Sequence, residues 1–179
     1  MGAILINWGT VHVDHVRAEE TMAVALHDRY RPVVTSLVYR ESDDTYLILK
    51  RSEKLPVYPG MWTVPGGGLE RKDYFERPQT SPDGWDNVLE VALLREIREE
   101  AGITVKNVRY RGNTVFIRPD MVPVIVLRHY AQYASGDVVL DPADATDYRW
   151  IRPYELSQYD LIGNIPADIL WHDTHMNWR

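Results

Sequence analysis

The chain contains no cysteine among its 179 residues. Disulfides, thiolate metal sites and cysteine nucleophiles are thereby excluded. It has no long apolar run. Met121 to Leu127 is the longest stretch, far short of a bilayer span, and reads as a buried strand. Basic charge is not in excess: 20 Lys and Arg stand against 26 Asp and Glu, a net charge of −6. That balance disfavours a nucleic-acid backbone as partner, which needs a basic patch. It leaves room for a small polyphosphate, because a bound cation inverts the local charge. The first residues lack a basic segment followed by an apolar one, and Ile6 stands where the Met1-Gly2 myristoylation pattern wants Ser or Thr. A cytoplasmic protein without a membrane partner is expected. The length fits one domain with a sizeable core.

What is present is concentrated in one run, Arg95-Glu96-Ile97-Arg98-Glu99-Glu100-Ala101-Gly102-Ile103. On a helix its three carboxylates fall at i, i+3 and i+4 and project from one face. Like charges so placed repel, and a hard divalent cation such as Mg²⁺ is a suitable counter-charge, since it favours carboxylate oxygens and bridges them to phosphates. Asp86 is the expected N-cap of this helix and Gly102 its C-cap, with Leu94, Ile97 and Ala101 on the buried face. Upstream, Pro65-Gly66-Gly67-Gly68-Leu69-Glu70 forms a turn that brings backbone close to a ligand. The combination points to metal-assisted phosphate chemistry.

Around these motifs the periodicity predicts a hairpin from Val33 to Tyr39 and Tyr46 to Leu49, and a short strand Met61 to Val64. Further strands are expected at Val105 to Tyr110, Thr114 to Ile117, Val122 to Tyr133 and Tyr148 to Ile151, with short helices at Pro153 to Tyr159 and Ile165 to Trp171. Strands on either side of a central helix make an α+β fold, a mixed sheet packed by helices. Residues 1–31 read as an N-terminal extension with a helix near residues 19–30 and solvated His12 and His15; residues 32–179 form the domain. Arg51, at a strand end, is a candidate phosphate contact.

The glycine turn and acidic helix together resemble the signature of the Nudix hydrolases, Gx5Ex7REUxEExGU with U aliphatic. The second half matches at Arg95, Glu96, Ile97, Glu99, Glu100, Gly102 and Ile103, and the first at Gly66-Gly67-Gly68-Leu69-Glu70. The flanks Pro59 to Pro65 and Asp147 to Leu156 are similar to MutT-type members. The family pattern sets its glycine fourteen residues before the arginine, whereas Gly67 precedes Arg95 by 95 − 67 = 28, so fourteen residues are inserted, expected over 71–86. The glutamate wanted eight residues before the arginine is Asn87; Asp86 and Glu90 are the acids expected to replace its bracing role.

The resemblance implies a Nudix-type α/β/α sandwich. It also implies hydrolysis of a nucleoside diphosphate linked to another group, with Mg²⁺ or Mn²⁺ held by Glu96, Glu99, Glu100 and the carbonyl of Gly66. Glu96, Glu99 and an acid of the late loop, where Asp144 and Asp147 stand and Asp144 is preferred, are its candidate bases, and Gly67 and Arg51 its substrate contacts. Gly66-Gly67 tilts the reading toward nucleoside triphosphates, giving the monophosphate and pyrophosphate. Pro119, sixteen residues past the motif, hints at ADP-ribose or a nucleotide sugar instead. A nucleotide sensor without activity is the other reading. Trp62 and Phe116 are candidate base contacts. Residues 1–30 are expected to pack across a homodimer.

Overall fold

The structure, a computed structural model, describes residues 30–118 and 121–175. The extension up to residue 29, with its expected helix, His12 and His15, lies outside the described residues, as does Pro119.

Seven strands form one mixed sheet: β1 (Arg31–Arg40), β2 (Thr45–Arg51), β3 (Trp62–Thr63), β4 (Gly66–Gly68), β5 (Thr104–Ile117), β6 (Pro123–Ser135) and β7 (Ala145–Ile151). Two α-helices accompany them, α1 (Val88–Ala101) and α2 (Ile165–His175), with 3₁₀ turns at Arg71–Asp73 and Pro153–Gln158. The hairpin β1–β2 closes through Asp43, whose carboxylate takes both Arg40 Nε (2.8 Å) and Thr45 Oγ1 (2.9 Å), and through Asp44 against the Tyr39 hydroxyl.

Strand alternation builds two cores. Val34 and Val38 of β1 with Leu47 and Leu49 of β2 face α1, meeting Ala92, Leu93, Ile97 and Ala101. The intervening Leu37, Tyr39, Tyr46 and Ile48 face the other way, toward Ile169 of α2. Helices cover both faces of the sheet, so the fold is the expected α/β/α sandwich.

Three local expectations need correction. β5 is one strand, not two, because bulges near Lys106 and Tyr110 absorb Asn107 (φ 53°) and Gly112 (φ 154°) without ending the pairing with β6. Leu94 is 40% exposed; the buried face of α1 runs through residues 93, 97 and 101, and Leu94 lies beside it rather than on it. Asn87, in the left-handed region at φ 56°, occupies the N-cap position of α1. Asp86 instead ties the inserted loop to Thr80, its amide donating to Thr80 Oγ1 at 2.6 Å.

β1 changes partners along one edge. Val33 to Thr35 pair with Gly68 to Gly66 of β4, and Tyr39 and Arg40 pair with β2. Its other edge runs parallel to β6 throughout. The glycine turn thus sits where the β2 side of the sheet parts from β1, and α1 lies behind it.

Candidate active site

The glycine turn and α1 touch directly. A Cβ on Gly67 would lie 2.4 Å from the Glu96 carboxyl, so a side chain there would push this carboxylate from its place against the turn. The Gly66 amide donates to Glu100 Oε2 at 2.9 Å. Gly68 offers its carbonyl to Arg95 Nη2 at 3.0 Å. Three consecutive glycines therefore meet Glu100, Glu96 and Arg95 of the helix.

Arg95 organises the acidic face. Its Nε and Nη2 donate to Asp73 Oδ1 and Oδ2 at 2.6 and 2.9 Å, a fork-on-fork pair. Its Nη1 lies 2.8 Å from both Glu96 Oε1 and Glu99 Oε2. Asp73 is 2% exposed and also accepts from the Glu70 amide at 2.8 Å. Burial alone raises the Asp73 carboxyl, but the hydrogen bonds and charge of Arg95 outweigh it and hold it below the ordinary value. The same contacts push the Arg95 guanidinium above its usual range.

Asp73 is the residue that counting back from Arg95 misses. The arginine is braced by neither Asp86 nor Glu90 but by Asp73 of the 3₁₀ turn. Counting forward from Gly67 finds it, since 73 − 67 = 6 reproduces the glycine-to-acid spacing of the Nudix pattern. The fourteen extra residues then run from Tyr74 to Asn87, ending one residue before α1 begins at Val88. That loop packs on itself: the Trp85 ring lies 5.8 Å from Tyr74 and 6.4 Å from Phe75, and its Nε1 donates to the Arg77 carbonyl at 2.9 Å.

The carboxylates differ in environment. Burial raises Glu96 above the ordinary value against the pull of Arg95. Burial also raises Glu99, but hydrogen bonds from Arg95 and Lys72 bring it below. Glu100 is pushed up to about 8, first by burial and then by the charges of Glu96 and Asp144, with the Gly66 amide and Arg51 opposing. Asp144 thus stands near Glu100 and Arg51, and its backbone is fixed there by the Ser52 amide donating to its carbonyl at 2.8 Å. Asp147 pairs with Arg149 instead. Among the described residues no three His, Cys, Asp or Glu side chains are gathered as a ligand set. Glu96 and Glu99 are drawn toward Arg95, and Glu100 toward the Gly66 amide.

On the α2 side of the sheet a cavity of about 540 Å³ opens beside the glycine turn. Val33 and Thr35 of β1, Val126 and Arg128 of β6 and Thr114 of β5 form its floor, all brought to one face by strand register. Arg51 lines it with its Nε held by the Val57 carbonyl at 3.1 Å, and burial lowers its guanidinium. Phe116 lines the cavity as expected, with Tyr58 6.3 Å away. Trp62 does not; it packs edge-on against Tyr159 at 5.1 Å within the second core. Arg128, missed in the sequence, is signalled by the alternation Val124, Val126, Arg128, and is held by Asp168 at 2.6 Å.

Comparison with known proteins agrees with this geometry. The NUDIX domain profile matches residues 29–170. A nucleoside triphosphatase, NudI, from Salmonella newport is 32% identical over 143 residues, covering 74% of this chain and 89% of its own. The MutT protein of Methanosarcina mazei superposes with a TM-score of 0.59 at 22% identity, over 84% of this chain and 96% of that one. The NUDIX domain of Shewanella oneidensis NrtR, solved with ADP ribose, superposes at 0.62 and 16% identity, over 87% and 96%. A domain match over most of the chain, a relative above 30% identity and the shared sandwich together place this chain in the Nudix family of pyrophosphohydrolases.

Proposed function

We propose that the protein hydrolyses a phosphoanhydride bond of a nucleoside triphosphate in the presence of Mg²⁺, or Mn²⁺ in its place, releasing the nucleoside monophosphate and pyrophosphate. The observation that carries this reading is the meeting of the glycine turn with the acidic helix, the Glu96 carboxylate lying where a Gly67 side chain would begin and the Gly66 amide donating to Glu100. The curated relative's description as a nucleoside triphosphatase supports the substrate class.

Glu96, Glu99, Glu100 and the Gly66 carbonyl would supply the oxygen donors that suit a hard divalent cation, once the carboxylates turn from Arg95 and the Gly66 amide. Bound there, the cation would offset charge on the phosphate oxygens as water attacks one phosphorus and the bond to the bridging oxygen breaks. Arg51 and the backbone at Gly67 hold the phosphates at the cavity mouth, and the cavity takes the nucleoside. Of the three candidate bases, Glu99 is the poorest, since the hydrogen bonds of Arg95 and Lys72 lower its basicity. Glu96 and Asp144 remain. Asp144→Asn separates them: a fall in kcat of about 10²-fold or more assigns the base to Asp144, and a kcat near wild type assigns it to Glu96.

The test is a hydrolysis screen with Mg²⁺ across nucleoside triphosphates, nucleotide sugars and ADP-ribose. Turnover of a triphosphate that Glu99→Gln abolishes supports the reading. Turnover confined to ADP-ribose or a nucleotide sugar moves the substrate, and none at all leaves a nucleotide sensor. Cytoplasmic location and a homodimer built through residues 1–31 belong to the same reading; light scattering of a chain starting at residue 31 tests the dimer, and an unchanged mass contradicts it.

A further inference from the structure

Glu99 carries two protein cations of different character. Arg95 is 13% exposed in its side chain and fixed by Asp73 and the Gly68 carbonyl, so it cannot leave. Lys72 is 41% exposed, and its Nζ lies 3.0 and 3.3 Å from the two oxygens of Glu99 and 3.3 Å from Glu70 Oε2. Its backbone is held in the 3₁₀ turn by the reciprocal Glu70–Asp73 contacts, so the ammonium is always within reach of Glu99. A carboxylate has about four lone-pair sites. Arg95 takes one, and Lys72 lies across both oxygens where a metal would coordinate.

We propose that Lys72 is an intramolecular counter-cation that competes with a divalent metal for Glu99, and that it thereby tunes the metal affinity of the site. The proposal rests on Glu99 being a metal ligand. Mg²⁺ draws on carboxylate oxygens in near-octahedral order, and an ammonium on both oxygens of Glu99, with Arg95 on one of them, competes for that charge. Lys72 is the group that moves: its four-carbon stem is flexible, whereas the planar Arg95 fork is locked on Asp73. Lys72 acts through Glu99, as a positioning residue. The arm belongs to this chain's own turn, and the brace that holds the turn is the one that orients the catalytic helix.

The experiment measures Mn²⁺ binding by electron paramagnetic resonance, without nucleotide, on wild type, Lys72→Met and Lys72→Arg. Methionine keeps most of the stem and removes the charge. Lys72→Met is expected to bind Mn²⁺ about two- to fivefold more tightly, the scale of an exposed ion pair, with an unchanged melting temperature. Lys72→Arg is expected to stay near wild type, because the charge is retained. Equal or weaker binding by Lys72→Met, or equal binding by the two variants, overturns the proposal. If wild type itself binds no Mn²⁺, the metal site fails and the proposal with it; if it binds and Lys72→Met binds no more tightly, only the proposal fails.

Discussion

Removing the carboxylate of Asp73 takes the forked partner from Arg95, which keeps Glu96, Glu99 and the Gly68 carbonyl. Asp73→Ala is expected to destabilise the protein by about 1–3 kcal/mol, the loss of charged hydrogen bonds at a buried carboxylate, read from the urea midpoint. Exchanging the pair for the two exposed partners Lys72 and Glu70 would predict almost nothing, so the measurement separates the brace from the surface contacts. At Gly67 the expectation reverses. Gly67→Ala pushes only the movable end of Glu96 aside, so little stability is expected to be lost, whereas kcat is expected to fall about 10²-fold or more under the proposed role of that carboxylate. Glu100 gives a pH signature. Its folded value near 8 exceeds the ordinary 4.5, so between those limits the folded chain holds a proton that the unfolded chain does not. Its contribution to stability is therefore present at low pH and is lost as pH rises from 4.5 through 8. A metal that takes the carboxylate must expel that proton. Calorimetry in buffers of different ionisation heat should find proton release on Mn²⁺ binding at pH 7, absent in Glu100→Gln.

At the scale of elements, the acidic helix was legible and its anchor was not. The spacing of Glu96, Glu99 and Glu100 named α1, because helical periodicity is local. The brace escaped because it depends on where the insertion begins, and only the contact between Asp73 and Arg95 fixes that point. Likewise β5 read as two strands, because a strand crossing bulges at Asn107 and Gly112 looks interrupted in one dimension while β6 carries it across. α2 depends on tertiary packing for its role. His172, 2% exposed, sits 2.9 Å from the Tyr46 hydroxyl, and burial lowers its imidazole to about 4. The folded chain thus binds fewer protons than the unfolded one between pH 6.5 and 4. This stability is fully present above 6.5 and about 3 kcal/mol of it is lost as pH falls to 4. Denaturant titrations from pH 7 to 4 should show that decline, and His172→Phe should flatten it.

For the molecule as a whole, the sandwich was readable from alternating strands around one helix, and the two cores confirm it. The cavity was less readable. Arg128, Thr35 and Thr114 meet only through the register of β1, β6 and β5, which no single stretch of sequence encodes. No described helix is long and apolar enough to cross a membrane. The net charge of −6 resides on a chain whose cavity is lined by Arg31, Arg51, Arg118 and Arg128, so its positive character is local to the proposed nucleotide end. In the proposed reaction α1 and the glycine turn hydrolyse a nucleotide anhydride with a divalent metal. Phosphorus NMR of a nucleoside triphosphate incubated with Mg²⁺ and the protein tests it most directly. The account predicts nucleoside monophosphate and pyrophosphate from wild type and no reaction from Glu99→Gln; equal turnover by both proteins, or turnover unaffected by chelating the metal, would contradict it.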